Sequence, residues 1–249
     1  PATGTYTSLP VPELIGFIVP RRRGGVVAGM HGEIRGLDLK SGETTTIAKP
    51  EADRPGNRFN DGKCDRAGRL WAGTLAIDTA PDQGRLWRID TDGNAVEMDR
   101  GFHVANGLGW SLDDRTFYFT DTQKQTIYAY DFDAKSGDIT NRRVFITVPE
   151  AEGKPDGMTV DAEGFLWVAH WDGWCVTRYD PDGKVDRVIN LPVPRPTSCV
   201  FGGPDMQTLF VTSARIRLSA AQLAEAPLSG SVFSIDTGIR GLPENVYGG

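Results

Sequence analysis

Apolar and polar positions alternate along this chain in short runs. Strand-length apolar segments are separated by turns rich in Gly, Asp, Asn and Pro, a pattern that predicts an all-β protein. The best helical segment, LSAAQLAEAPL at residues 218–228, is short. Two patterns alternate. The first is an apolar strand, a turn and a second apolar strand. It appears as GFIVPRRRGGVVAG from Gly16, GKCDRAGRLWAG from Gly62, GLGWSLDDRTFYFTD from Gly107, GMTVDAEGFLWVAH from Gly157 and CVFGGPDMQTLFVTS from Cys199. The second is a strand that ends in Asp before a turn, with the aspartates at Asp38, Asp90, Asp131, Asp180 and Asp236. They recur roughly every 50 residues, and such a period with four short strands per unit is the signature of a β-propeller. A single propeller domain over residues 1–249 is expected. Five full units are present. The opening PATG resembles the turn DLKSG of the second pattern, which places Pro1 inside a blade. The expectation is therefore a six-bladed propeller of four-stranded blades, the first incomplete at the N-terminus, with roughly 40 residues preceding Pro1. A complete five-bladed ring is the alternative.

The repeat gives meaning to a polar stretch, NRFNDGKCDRAGRLWAGT, that stands directly before an apolar strand. The first pattern, aligned on its opening residue, makes the preceding position equivalent in every unit: Ile15, Asp61, Asn106, Asp156 and Ser198. Innermost strands of a propeller line its channel, so equivalent positions converge on the channel mouth. Four of the five carry oxygen donors. Calcium takes six to eight oxygens at about 2.3–2.6 Å, and magnesium also prefers oxygen. Asn-Gly and Asp-Gly pairs also form turns, and turn chemistry suffices for any one of them. Four polar residues at one repeat position favour a cation site. No His falls in the ring, which lowers the case for a His-rich zinc site. Arg58 and Asn60, just before Asp61, suit a polyhydroxylated or anionic ligand, although solvation explains them about as well. His31, His103 and His170 are isolated and read as core or loop residues, with His103 the nearest to the channel. Arg21, Arg22 and Arg23 read as a solvated turn tip.

Composition narrows the classes. Of 249 residues, 39% are hydrophobic and 24% charged, and the net charge is −6. An acidic chain lacks the basic face that nucleic-acid binding needs. No apolar run approaches the ~20 residues of a membrane span. Cys64, Cys175 and Cys199 lie far apart, without a CxxC pair, and read as buried free thiols in a reducing, cytoplasmic setting. There is no GxSxG elbow and no P-loop, and a covalent Ser or Cys mechanism has no support.

The segments RFNDGKCDRAGRLWAGT, ANGLGWSLDDRTFYFTDT, KPDGMTVDAEGFLWVAHWDG and TSCVFGGPDMQTLFVTSA resemble the senescence-marker-protein, regucalcin and gluconolactonase family. The resemblance runs from about Leu14 to the C-terminus. It implies a six-bladed propeller that holds one divalent cation in its channel and hydrolyses sugar lactones. Calcium is the first candidate, with magnesium, manganese and zinc behind it. The resemblance implies Asn106 and Asp156 as metal ligands, and Asp156 also as the catalytic acid/base. It implies Arg58 and Asn60 as substrate contacts, and places Asp61 close to the metal through water. Ser198 joins Asp61 just outside the ligand set as a member of the ring. The family also has a Glu ligand in a GEGP-like motif near its N-terminus. This sequence has no such motif, and Pro1 matches a point beyond it. Asp82 roughly fills the place of a further acidic substrate contact.

The expected reaction is metal-dependent opening of aldonolactones such as gluconolactone. The expected partner is the small lactone, with no nucleic acid and no membrane, in a monomer or weak dimer. Two rivals stand beside it: an ester or phosphoester hydrolase on the same metal site, and a calcium-binding propeller without enzymatic activity.

Overall fold

The computed structural model describes residues 8–11 and 13–249. Blade 1 is β1 (Phe17–Pro20), β2 (Val26–Gly29), β3 (Ile34–Leu37) and β4 (Thr44–Ala48). Blade 2 is β5 (Asn57–Cys64), β6 (Leu70–Ala76), β7 (Gly84–Ile89) and β8 (Ala95–Phe102). Blade 3 is β9 (Ala105–Trp110), β10 (Thr116–Asp121), β11 (Thr126–Asp133) and β12 (Asp138–Thr147). Blade 4 is β13 (Lys154–Val160), β14 (Leu166–Trp171), β15 (Cys175–Tyr179) and β16 (Val185–Asn190). Blade 5 is β17 (Pro196–Gly202), β18 (Thr208–Ser213) and β19 (Val232–Asp236). Each sheet is an antiparallel meander in chain order. The first sequence pattern forms strands one and two of each blade, and the second forms strand three.

Blade number corrects the expectation. The described residues form five sheets, not six. Each of the five pattern units makes one sheet. The expectation of a sixth blade rests on PATG, which lies outside the described residues. The three-stranded sheet is also the last and not the first, since β1–β4 is complete. After Asp236 the chain does not return as a fourth strand. Residues 241–249 instead cross the end of the channel opposite the polar ring. Asp161 bridges Gly241 in blade 4, and Arg21 bridges Tyr247 in blade 1. Asn245 Nδ2 donates to the Cys64 carbonyl at 3.1 Å, and Gly248 N donates to the Gly68 carbonyl at 2.9 Å. Arg21, expected as a free tip, donates from Nε to the Gly249 carbonyl at 2.9 Å.

The core consists of apolar wedges between neighbouring blades, because a propeller sheet buries both faces only against the next sheet. Phe17, Ile34, Phe59 and Leu70 fill the wedge between blades 1 and 2. Trp71, Trp110, Phe117 and Phe119 fill the next, with Trp71 and Phe117 ring centroids 5.0 Å apart. Leu166, Val168 and Met158 serve blades 3 and 4, and Trp167, Phe201 and Val211 serve blades 4 and 5. Buried indoles are tied by turn aspartates: Asp65 accepts from Trp71 Nε1 at 3.0 Å and Asp161 from Trp167 Nε1 at 2.8 Å. The three cysteines are free and buried. The predicted helix is the single turn-and-a-half α1 (Ala220–Glu225), capped by Ser219 and Gln222 in a capping box. No described helix is long and apolar enough to cross a membrane.

Candidate functional site

The four polar ring positions share a backbone feature. In β5 the register against β6 slips between Phe59 and Asp61, leaving Asn60 as the extra residue. In β9 the slip skips Gly107, directly after Asn106. In β13 it falls between Pro155 and Met158, at Asp156 and Gly157. In β17 it falls between Pro196 and Ser198. β1, which follows Ile15, pairs with β2 without a slip. A β-bulge breaks strict alternation and re-aims a side chain. Here it releases the polar residues from the inter-blade wedges, and Asp61, Asn106, Asp156 and Ser198 all line one cavity of about 620 Å³ at the channel mouth. Ile15 does not line it, although its neighbours Leu14 and Gly16 do.

Glycine after the ring residue lets adjacent inner strands meet. Gly107 has φ +36°, and a Cβ there would stand 2.5 Å from the Asp156 carbonyl oxygen. A Cβ on Gly157 would stand 2.4 Å from Ser198 Oγ.

Arg58 and Asn60 reach the same cavity. Arg58 Nη1 donates to Asn60 Oδ1 at 3.0 Å and to the Phe59 carbonyl at 2.9 Å. Asn60 Nδ2 donates to Asn106 Oδ1 at 2.7 Å and to the Ala105 carbonyl at 2.9 Å. Asn106 Nδ2 donates to Thr122 Oγ1 at 2.8 Å. This chain of bonds fixes the Asn106 amide across two blades, so that Asn60 orients its neighbours.

The carboxyl groups are perturbed. Burial pushes Asp61 above the usual carboxylate range, against the Gly62 N–H, which donates to its Oδ1 at 2.8 Å, and the nearby Lys63. Asp156 is pushed well above that range, by burial first and by the charge of Asp61 second. Desolvated like charges disfavour joint ionisation. Lys63 lies deeper in the channel. Its Nζ donates to the Met158 carbonyl at 3.2 Å and pairs with Glu244 at 3.1 Å.

Several lining residues carry no repeat signal. Trp171, Thr122 and Arg217 reach the mouth from second strands and loops. Arg195 holds that rim together: its Nε meets Asp172 Oδ1 at 2.6 Å, its Nη1 donates to the Ile216 carbonyl, and its guanidinium lies 4.8 Å from the Trp171 ring centroid. The expected contact Asp82 instead pairs with Lys124 at 2.6 Å and does not line the cavity. His170 is fully buried between the Glu152 carbonyl and Tyr179 Oη, and burial lowers its pKa. Trp174 is 39% exposed and stands outside the cavity lining.

The donor set is two carboxylates, an amide and a hydroxyl. No group of three or more His, Cys, Asp or Glu forms a metal cluster among the described residues. Oxygen donors that include two buried carboxyls, one raised by the charge of the other, fit a hard divalent cation, which would offset the repulsion between them. The fold and site together define a β-propeller with an oxygen-donor pocket at one channel mouth. The chain belongs to the SMP-30/Gluconolactonase/LRE-like family, whose sequence model matches residues 1–215.

Regucalcin of Danio rerio is 39% identical over 251 residues, covering 99% of this chain and 85% of that protein. A luciferin-regenerating enzyme superposes with a TM-score of 0.93 at 32% identity, covering 99% of this chain and 86% of that one. The calcium-binding protein regucalcin of Agrobacterium tumefaciens superposes with a TM-score of 0.94 at 30% identity, covering 99% and 83%. A gluconolactonase of Xanthomonas campestris gives a TM-score of 0.68 at 26% identity, covering 80% and 68%.

Proposed function

We propose that this protein is a divalent-metal-dependent lactonase that opens sugar lactones to sugar acids. The observation that carries the reading is the convergence of Asp61, Asn106 and Asp156 on one cavity, with Arg58 on its wall. Similarity to proteins named gluconolactonase supports the reaction class.

Asn106 and Asp156 would hold the cation, with Asp61 and Ser198 beside them. When bound, the cation supplies Lewis-acid polarisation of the lactone carbonyl. Asp156 acts as the proton carrier. Burial and the neighbouring Asp61 raise its proton affinity, which is the direction a general base needs. Water adds to the carbonyl carbon as its proton passes to Asp156. The bond from that carbon to the ring oxygen then breaks, and Asp156 returns the proton to the departing oxygen. Arg58 orients the hydroxyl groups through Nε and Nη2, since Nη1 is engaged by Phe59 and Asn60. Asn60 lines the cavity beside it and keeps the Asn106 amide in place.

The test is hydrolysis of gluconolactone, xylonolactone and arabinonolactone by chelated protein, with Ca²⁺, Mg²⁺, Mn²⁺ and Zn²⁺ restored singly. Metal-restored turnover above the uncatalysed rate is expected. A second reading has one specific support, the calcium-binding designation of the Agrobacterium relative. Calcium that raises Tm in a protein that opens no lactone would establish that reading and overturn the first.

A further inference from the structure

Among the described residues, two guanidiniums lining this cavity have no acid partner. Arg58, on the wall, is half-buried, and burial disfavours its charged form. Arg217, at the rim, lines the same cavity. Among the described residues neither enters an ion pair. The other charged lining residues are Asp61 and Asp156. The charge of Asp61 acts on buried Asp156, so neither carboxyl is an ion-pair partner of the two arginines. A half-buried guanidinium without a carboxylate is costly unless a ligand supplies the acceptor oxygens.

Arg217 is also held in an unusual way. Its φ is +60°, in the left-handed region that favours glycine. The loop that carries it is clamped by Arg195, which donates to the Ile216 carbonyl and accepts from Ala214 N at 2.9 Å. The cation is therefore presented from a fixed rim at some backbone cost.

We propose that the cavity prefers sugar-acid lactones bearing a second anionic group, carboxylate or phosphate, away from the reacting carbonyl, with Arg58 and Arg217 receiving that group. The inference rests on the lactone reading of the cavity and goes further by naming the charge of the substrate. The chain's net charge of −6 opposes anions at long range. The preference must arise at contact distance, inside a Debye length of about 8 Å, and must weaken with salt.

The test is equilibrium binding by calorimetry to the full chain in calcium buffer. The probes are gluconate, which is uncharged at its far end, glucarate, which adds a carboxylate there, and 6-phosphogluconate, which adds a phosphate. One of the two probes with a second anionic group is expected to bind about tenfold tighter than gluconate at low salt, as one charge-assisted contact allows. The tighter of the two identifies the group. The advantage should shrink several-fold in 0.5 M salt. Arg217→Gly relieves the backbone and should fold at least as well, yet should lower the affinity of the tighter probe relative to gluconate about fivefold. Arg58→Lys keeps the charge without the fork and should lower the same ratio about threefold. Equal binding of all three probes, binding of none, or a ratio that Arg217→Gly leaves unchanged would overturn the proposal. Because binding needs no turnover, a lactonase indifferent to the second anion breaks this inference alone. A protein that prefers the probes with a second anion but opens no lactone breaks the lactonase reading alone.

Discussion

Two inner strands show what the site depends on. β9 and β1 occupy the same place in their blades. β9 carries Asn106, a register slip and a glycine at positive φ, and its polar side chain reaches the cavity. β1 follows Ile15, pairs regularly, and sends no ring side chain there. The repeat therefore places a residue near the axis, but the bulge turns it into the channel. Polar residue and bulge occur together in β5, β9, β13 and β17, whereas blade 1 has the apolar Ile15 ahead of its regularly paired residues Phe17–Pro20. In a regular strand a polar side chain at this position would face an apolar wedge, at a cost of about 1–3 kcal/mol if unpaired.

The largest expected break in the comparison is Asp156→Ala. It removes the proton carrier and a cation oxygen from a bulged strand, and should lower kcat about 10³-fold. Circular dichroism should be unchanged and Tm within a few degrees; a variant with normal lactonase kinetics would remove Asp156 from the mechanism.

Gly107→Ala attacks the bulge itself. The new Cβ would meet the Asp156 carbonyl at 2.5 Å with φ at +36°. A loss of about 3 kcal/mol in urea unfolding is expected, the sum of crowding and left-handed strain. A neutral result would mean that the bulge tolerates a side chain.

Arg58→Ala should raise KM about tenfold and leave kcat within a few-fold, since the guanidinium binds but does not react. Unchanged kinetics on every lactone would remove it from the site.

A smaller effect concerns pH. In the folded, metal-stripped chain Asp156 has a raised pKa, so its ionisation costs stability once pH exceeds the ordinary carboxylate value near 3.8. The cost grows up to the folded pKa and is constant above it. Asp156→Asn should therefore raise Tm of the stripped protein by about 3 °C at pH 8 and by nothing at pH 3. A gain that persists at pH 3 would point to packing in place of charge.

The smallest effect is expected at Ile15→Ser, which supplies the missing hydroxyl to blade 1 at a position whose side chain does not line the cavity. Less than about a twofold change in kcat is expected, as for substitutions away from such features. A larger one would show that β1 contributes to the site after all.

Legibility in the sequence followed the range of the interactions. Strand positions were readable because turns such as Asp38-Leu39-Lys40-Ser41 close on themselves: Asp38 Oδ1 accepts from Lys40 N and Ser41 N. Asp61, Asn106, Asp156 and Ser198 were readable as equivalents because each stands at the start of the same pattern. Arg217 was not, since it sits in a non-repeating loop whose position depends on Arg195 in the preceding strand connection. Lys63 was not either, because its partner Glu244 lies 181 residues away. The Asn60–Asn106 bond crosses two blades and has no local signature.

By itself the sequence determined the repeat, the strand order within each blade, and which side chains are equivalent around the axis. These follow from alternation and turn chemistry, which act between near neighbours in the chain. Only the tertiary structure decided that the described sheets number five, that the C-terminal segment crosses the far end of the channel, and that bulges aim four of the five ring residues inward. Those outcomes depend on how whole sheets wedge together and on contacts between residues far apart in sequence, so no short stretch of the chain encodes them.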